Sequence, residues 1–334
     1  MVMYRSIVVC HILFLANAVV SFFNLSDFST RTESDECGLN RFGPSCEPCE
    51  KCSIGRCDDG KLGSGRCSHV TVQDACTVQT ENGTIFVRGN AVITTLFYTR
   101  PNPQTGKYVS LAQEPWRRWF QSVQILGMSA LVLHDGLPEH ILAALNGTCT
   151  VTLQVSLSHR SVNDERFSLY RSLLQEGLRT HFGNRTVVLS SVDGMDTKLL
   201  FTDMLDVEFY RNPFEIFFGK KYALYVGMQA SPWDRWIIAR ANACSTRLQQ
   251  HKLRYYNAGI LGGSIGNVKR FLDCYHTIAE ELPRRSKKRN CNMVVFNQAL
   301  VSCFHMTEIF TGKPLHSIFK AYEKNTTNIY IRHK

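Results

Sequence analysis

Beyond residue 23 the sequence has no further apolar run long enough to cross a membrane, which excludes a multi-span membrane protein. Acidic residues are scarce: 28 Asp and Glu stand against 38 Lys and Arg, a formal charge of +10 with a pI near 9.0. That shortage would suit a nucleic-acid partner, but the basic excess is spread thinly and no DNA- or RNA-binding motif accompanies it, so no nucleic acid is expected. The tightest basic cluster, Arg284, Arg285, Lys287, Lys288 and Arg289, reads as a solvated loop, a contact for an acidic glycan, or a cut site for a processing protease. Disorder and fibrous structure are excluded by the 44% hydrophobic content, enough over 334 residues for one large core, alone or with a small satellite module.

The N-terminus carries Arg5, then the apolar IVVCHILFL from Ile7 to Leu15, then Ala16-Asn17-Ala18, which has the shape of a signal-peptidase site. Residues 1–23 are therefore expected to lead into the secretory pathway. Cleavage is the favoured reading; the alternative, an uncleaved anchor continuing through Val19, Val20, Phe22 and Phe23, would make a single-pass type II membrane protein. Sequons at Asn24, Asn82, Asn146, Asn184 and Asn325 agree with lumenal exposure, in the Golgi or outside the cell.

Of thirteen cysteines, six fall between Cys37 and Cys67. The spacing of Cys46, Cys49 and Cys52 would suggest iron–sulfur or zinc ligation in a cytosolic protein, but the leader argues for an oxidising compartment. There an even set of close cysteines reads as a disulfide framework holding a segment too small for its own core. Residues 35–69, notably GRCDDGKLGSGRC from Gly55 to Cys67, resemble an EGF-like module of the laminin type. Cys10 lies in the leader and Cys76 in the link that follows; Cys149, Cys244, Cys274, Cys291 and Cys303 are dispersed, which predicts a large domain depending little on oxidation.

A short link through Cys76 and Asn82 is expected to lead to a large domain over 88–334. AVITTLFYT, Ala91 to Thr99, has the β-branched and aromatic content of a buried strand; Pro101, Asn102, Pro103 and Gly106 break it. Trp116, Phe120, Val123 and Leu126 keep helical spacing, and further strands are expected at Ala130 to Leu133 and Val151 to Leu157. Alternating strands and helices predict an α/β fold with a mostly parallel sheet. Ser161 and Asp164 resemble a capping box, followed by a helix with Phe167, Tyr170, Leu173, Leu174 and Leu178 on one face. Arg166 opposes that helix's dipole, so a bound anion or an acidic neighbour, Asp164 or Glu165, is expected to compensate. A strand at Tyr222 to Gln229 and a helix at Trp233 to Leu248 follow. Next comes a glycine-rich loop, YYNAGILGGS, ahead of a helix bearing Val268, Phe271, Leu272 and Tyr275.

The stretch LLFTDMLDVEFYRNPF, Leu199 to Phe214, ties these elements to chemistry. An apolar strand ends in Asp203 and Asp206, at the position where open α/β sheets bind ligands. Two close carboxylates repel unless a cation sits between them, and hard oxygen ligands suit Mg²⁺ or Mn²⁺ with positions left for phosphate oxygens. Otherwise the two acids cap a turn.

In motif order, Ala91 to Lys334 resembles a GT-A-fold glycosyltransferase, a Rossmann-like enzyme class using nucleotide-diphosphate sugars. NDERFSLYRSLL is similar to the helix carrying a cation near the donor nucleotide, TDMLDVEFYRNPF to the acidic metal motif, YYNAGILGG to the segment lining the sugar pocket, and MVVFNQAL to a later D-Q-x-x-x-N helix. IYIRHK is similar to a terminal segment whose histidine completes the metal shell. The resemblance implies Asp203 and Asp206 at metal and diphosphate, His333 at metal, with His316 its rival. It further implies Arg166 at donor phosphate or nucleotide, Asn257 and Gly259 at donor sugar, and Asn292 and Gln298 with Asp206 near the reacting centre. Cofactor and substrates would be Mn²⁺ or Mg²⁺, a nucleotide-sugar donor, and a glycan or glycoprotein acceptor. Two departures stand out: the acids are spaced Asp-x-x-Asp rather than Asp-x-Asp, and Asn292 stands where many relatives have an acid that orients or deprotonates the acceptor. The second expectation is therefore a catalytically inactive, secreted glycan-binding protein.

Overall fold

The computed structural model of the chain describes residues 41–42, 47–48 and 76–334, apart from 148, 159, 176–178, 183–184, 190–196, 218–222, 230–238, 240–243, 245–254, 283–289, 320 and 322–327. The leader, most of the EGF-like stretch, most of the 233–248 helix, the 284–289 basic cluster, Leu178 and the sequon asparagines 24, 184 and 325 lie outside the described residues. The chain divides into two compact units, Met1–Ala75 and Cys76–Lys334. In the first, β1 (Arg41–Phe42) pairs antiparallel with β2 (Glu47–Pro48).

The second unit begins earlier than the sequence suggests. Where a link was expected, β3 (Val78–Glu81) and β4 (Thr84–Val87) form a hairpin. Its turn is Asn82-Gly83, both at positive φ (46° and 78°), as a two-residue hairpin loop requires. Ile85 and Val87 are fully buried, so this hairpin belongs to the core rather than to a spacer.

The chain continues through β5 (Ala91–Leu96), α1 (Arg117–Ile125), β6 (Ala130–His134), α2 (Glu139–Leu145), β7 (Thr150–Gln154) and α3 (Val162–Leu173). Then come β8 (Arg179–Phe182), β9 (Arg185–Leu189), β10 (Lys198–Asp203), β11 (Val207–Phe209), α4 (Phe214–Phe217) and β12 (Leu224–Met228). After these follow β13 (Tyr256–Ser264), α5 (Ile265–Glu281), α6 (Asn292–Cys303), β14 (Ile309–Phe310) and β15 (Ile331–His333). A seven-stranded sheet runs β14-β12-β13-β10-β5-β6-β7, and a four-stranded one runs β3-β4-β9-β8. In the large sheet β10, β5, β6 and β7 are parallel neighbours, whereas β13 runs antiparallel between β10 and β12. The fold is thus mixed α/β with a mostly parallel sheet.

Both faces of that sheet are covered, which explains why its strands read as unbroken apolar runs. Ile93, Leu131, Leu199 and Phe201 pack on one side with α3, α5 and α6, while Val92, Val132 and Leu200 pack on the other with α1. The α5 face carries Val268, Phe271, Leu272 and Tyr275, as its spacing predicts. Among the described residues no helix is long and apolar enough to cross a membrane.

The stretch YNAGILGGS is not a loop. It forms a nine-residue strand buried along its whole length, hemmed in by β10 and β12. Oxidation also matters more in this unit than sequence dispersal implies, because Cys76–Cys149, Cys244–Cys291 and Cys274–Cys303 are all disulfides. They span 73, 47 and 29 residues, and closing loops of that size in the unfolded chain stabilises a fold by roughly 3–5 kcal/mol each on the chain-entropy account.

Candidate functional site

Asp203 is the last residue of β10, at the carboxyl end of a strand whose parallel neighbour is β5. The antiparallel register with β13 runs through Thr202 opposite Ile260, so the next step of that ladder brings Gly259 beside Asp203. The strand end is held by α1: Trp119 Nε1 donates to Thr202 Oγ1 at 2.8 Å, and Phe209 N donates to Ser122 Oγ at 3.1 Å. Beyond the turn, β11 pairs with β15, placing Val207 opposite His333. Asp206 lies in that turn, half-buried, and its backbone carbonyl accepts from Lys334 N at 2.8 Å.

Three of the expected residues converge. A Cβ placed on Gly259 would lie 2.6 Å from His333 Nε2 and 2.9 Å from Asp203 Oδ2. Both atoms therefore border one small space, open only because residue 259 has no side chain. His333 is not a frayed terminal residue: it is 2% exposed, its backbone N–H donates to Ser317 Oγ at 2.8 Å, and its ring lies 4.6 Å from that of Phe319. Neither ring nitrogen has a hydrogen-bond partner. Burial, with smaller contributions from neighbouring His316 and the Arg166 guanidinium, pushes His333 well below the ordinary histidine range, so the ring stays neutral and keeps a lone pair for a ligand. Its rival differs, since the His316 ring nitrogens lie 2.7 Å from Ser317 O and 2.8 Å from Val226 O. His316 braces the backbone.

The acid that bonds Arg166 is neither Asp164 nor Glu165, although Asp164 adds to the field that holds its charge. The Arg166 side chain, 9% exposed, donates Nη1 to Asp203 Oδ1, while Glu165 accepts from Ser158 Oγ. Burial pushes Arg166 downward, opposed by Tyr170, Tyr275, Asp164 and Asp206. The guanidinium and the Asp203 carboxylate thus share the strand end, with Asp206 within electrostatic reach.

Asp164 has a different task. Its backbone N–H donates to Ser161 Oγ at 3.3 Å as the helix cap, and its carboxylate accepts from Tyr275 OH at 3.3 Å and Cys291 N at 3.4 Å. Burial nonetheless raises its pKa to about 6. A raised carboxyl pKa means that the folded state holds the proton more tightly than the unfolded chain. Its contribution to stability is therefore present at low pH and declines as pH rises from about 4 to about 6, by on the order of 3 kcal/mol. Urea unfolding of wild type and Asp164→Asn across that window should show the decline in wild type and a flatter profile in the variant. Superimposable profiles would mean that this carboxyl ionises freely.

The Asn257 amide is partly taken up inside the protein: Nδ2 donates to Gln229 Oε1 at 3.0 Å and Oδ1 accepts from Gly259 N at 2.7 Å. It fixes the glycine that leaves the space open. Asn292 opens α6, fully buried, with its Oδ1 unpartnered. Gln298 is half-buried on the same helix, but the residue that grips β13 is Asn297, whose Oδ1 accepts from Tyr256 N at 2.8 Å and whose Nδ2 donates to Tyr256 O at 3.0 Å. The signal for Asn297 was a polar residue inside the apolar run MVVFNQAL.

Among the described residues no group of three or more His, Cys, Asp or Glu side chains is arranged to hold a cation. The pair alone still fits a divalent ion. His333 offers an unused buried nitrogen beside a carboxylate oxygen, and Mg²⁺-type sites commonly take only one or two protein ligands, with phosphate oxygens and water supplying the rest. Compared with known protein families and with curated protein sequences, the chain matches none.

Proposed function

We propose that the second unit is a GT-A-type glycosyltransferase that moves a sugar from a nucleotide-diphosphate donor to a glycan or glycoprotein in the secretory pathway. The observation carrying this reading is the small space between Asp203 Oδ2 and His333 Nε2 that Gly259 leaves open. A buried neutral histidine with two idle nitrogens beside a carboxylate costs stability, and a metal-bound ligand would offset that cost.

Asp203 and His333 would hold Mn²⁺ or Mg²⁺, with Asp206 reaching the diphosphate or its metal-bound water. When bound, the ion supplies charge neutralisation to the departing diphosphate. Arg166 contributes a second positive charge at the same strand end and keeps Asp203 oriented. Asn257 fixes Gly259. The EGF-like stretch would serve as a disulfide-held spacer between a leader or anchor and the transferase.

A second reading, an inactive glycan-binding protein, draws on Asn292: an amide cannot take the acceptor's proton. The test is a nucleotide screen of the purified lumenal chain by calorimetry. UDP or GDP should bind at least tenfold more tightly with Mn²⁺ than with EDTA, and the matching nucleotide sugars should release UDP or GDP. Equal binding in EDTA would remove the metal, and tight binding with no release on any donor would favour the inactive protein.

A further inference from the structure

A second set of unsatisfied groups lies at the start of α6, around Cys291. Asn290 and Asn292 are 4% and 2% exposed. Both polar atoms of the Asn290 carboxamide and the Oδ1 of Asn292 have no hydrogen-bond partner. The helix they introduce has no side-chain cap. Each buried polar atom left unpaired costs roughly 1–3 kcal/mol, so three within three residues are a concentrated expense that Val or Ala at either position would avoid.

This corner is joined to the acidic strand end from two sides. Cys291 N donates to Asp164 Oδ2, and Arg166, one position beyond Glu165 on the same helix turn, bonds Asp203. From the other side, Ala258 N donates to Met293 Sδ at 3.5 Å, one residue before Gly259. Hydrogen bonds thus tie the corner to the candidate site from both sides.

The chemistry of the orphan atoms narrows what could satisfy them. They comprise two carbonyl oxygens and one amide NH₂, all neutral. A cation would call for carboxylates, and the nearest, Asp164, already accepts three hydrogen bonds. The two carbonyl oxygens accept but cannot donate, and would repel the oxygens of a phosphate. Hydroxyl groups, which donate and accept at once, match a mixed set of neutral donors and acceptors. We propose that Asn290 and Asn292 form a carboxamide pair that binds the hydroxyl groups of a sugar. Asn290 is the new element, a specificity residue that no sequence motif singles out. Which sugar it meets, that of the donor or that of the acceptor, rests on the transferase reading.

The experiment compares wild type with Asn290→Ala, and with Asn290→Ser as a second variant that keeps one hydroxyl. An unpartnered carboxamide contributes no bond to stability, so the melting temperature of Asn290→Ala should hold or rise. Affinity for UDP or GDP alone should not change. If the pair reads the donor sugar, UDP-glucose, UDP-galactose or GDP-mannose should bind about tenfold more weakly. If it reads the acceptor, donor affinity should hold while KM for the acceptor glycan rises about tenfold. A fall of several degrees in melting temperature with both constants unchanged would assign the amides to a structural water and overturn the proposal; unchanged values throughout would overturn it too. Should wild type bind neither nucleotide, the transferase reading fails separately. Free glucose, galactose, mannose and xylose then decide: stabilisation of wild type that Asn290→Ala loses sustains the sugar site, and its absence ends it.

Discussion

Asp203→Asn should remove transfer and weaken the fold together, whereas Asp206→Asn should reduce transfer and leave the fold intact. The sequence alone suggests that both variants keep full stability, since each preserves side-chain size. The difference lies in Arg166, whose buried guanidinium bonds Asp203. Breaking a fully buried pair costs about 3–5 kcal/mol; Asp203 keeps 29% exposure, so on the order of 2 kcal/mol is expected here. Asp206 holds Lys334 through its backbone carbonyl, which the variant retains. Lost stabilisation of the departing diphosphate is worth several kcal/mol, so turnover should fall by roughly a hundred- to ten-thousand-fold for Asp203→Asn. Adding Arg166→Met to Asp203→Asn removes the stranded cation. Chemical denaturation should show stability partly restored in the double variant while turnover stays lost. Near-normal turnover in Asp203→Asn would sink the assignment of this strand end as the reacting site.

Gly259→Ala adds one methyl group and should lower kcat/KM by about a hundredfold or more. The added Cβ would stand 2.6 Å and 2.8 Å from His333 Nε2 and Cε1, and 2.9 Å from Asp203 Oδ2. Side-chain tips often yield to such a clash, but here they are held. The His333 backbone is pinned to Ser317 and its ring lies against Phe319, and Arg166 grips Asp203. Overpacking of this kind costs about 1–3 kcal/mol. Melting curves and a Mn²⁺ titration on one preparation should show a modest drop in stability and a large drop in metal affinity. A variant that binds Mn²⁺ and turns over like wild type would mean that the space beside Gly259 is not used.

Local signals were legible in the sequence; partners distant along the chain were not. The run Leu199 to Phe201 announced a buried strand, Ser161 announced a helix start, and the α5 stripe announced which face is covered. Arg166 carried a visible electrostatic mismatch, but its partner sits 37 residues away, and the ladders of β10 with β13 and of β11 with β15 bring Asp203, Gly259 and His333 together. Glycine misled in one direction: YNAGILGGS lacks β-branched bulk, and neighbouring strands override its weak propensity. Asn82-Gly83 was a hairpin signal hidden inside a sequon. Cysteine spacing in sequence carries no record of spacing in space, so six dispersed half-cystines, Cys76 among them, gave no hint of three bonds.

The hairpin of β3 and β4 sets where this protein can be cut. A recombinant fragment begun at residue 88, where sequence periodicity first suggests a domain, would lack Cys76 and leave Cys149 as an unpaired thiol. It would also strip β4 from β9, baring a row of backbone donors and acceptors beside Val187 and Leu189, both buried in the intact chain. An exposed apolar strand edge invites intermolecular pairing, and an unpaired thiol invites crosslinking. A fragment starting ahead of Cys76, made in an oxidising host, keeps that edge covered.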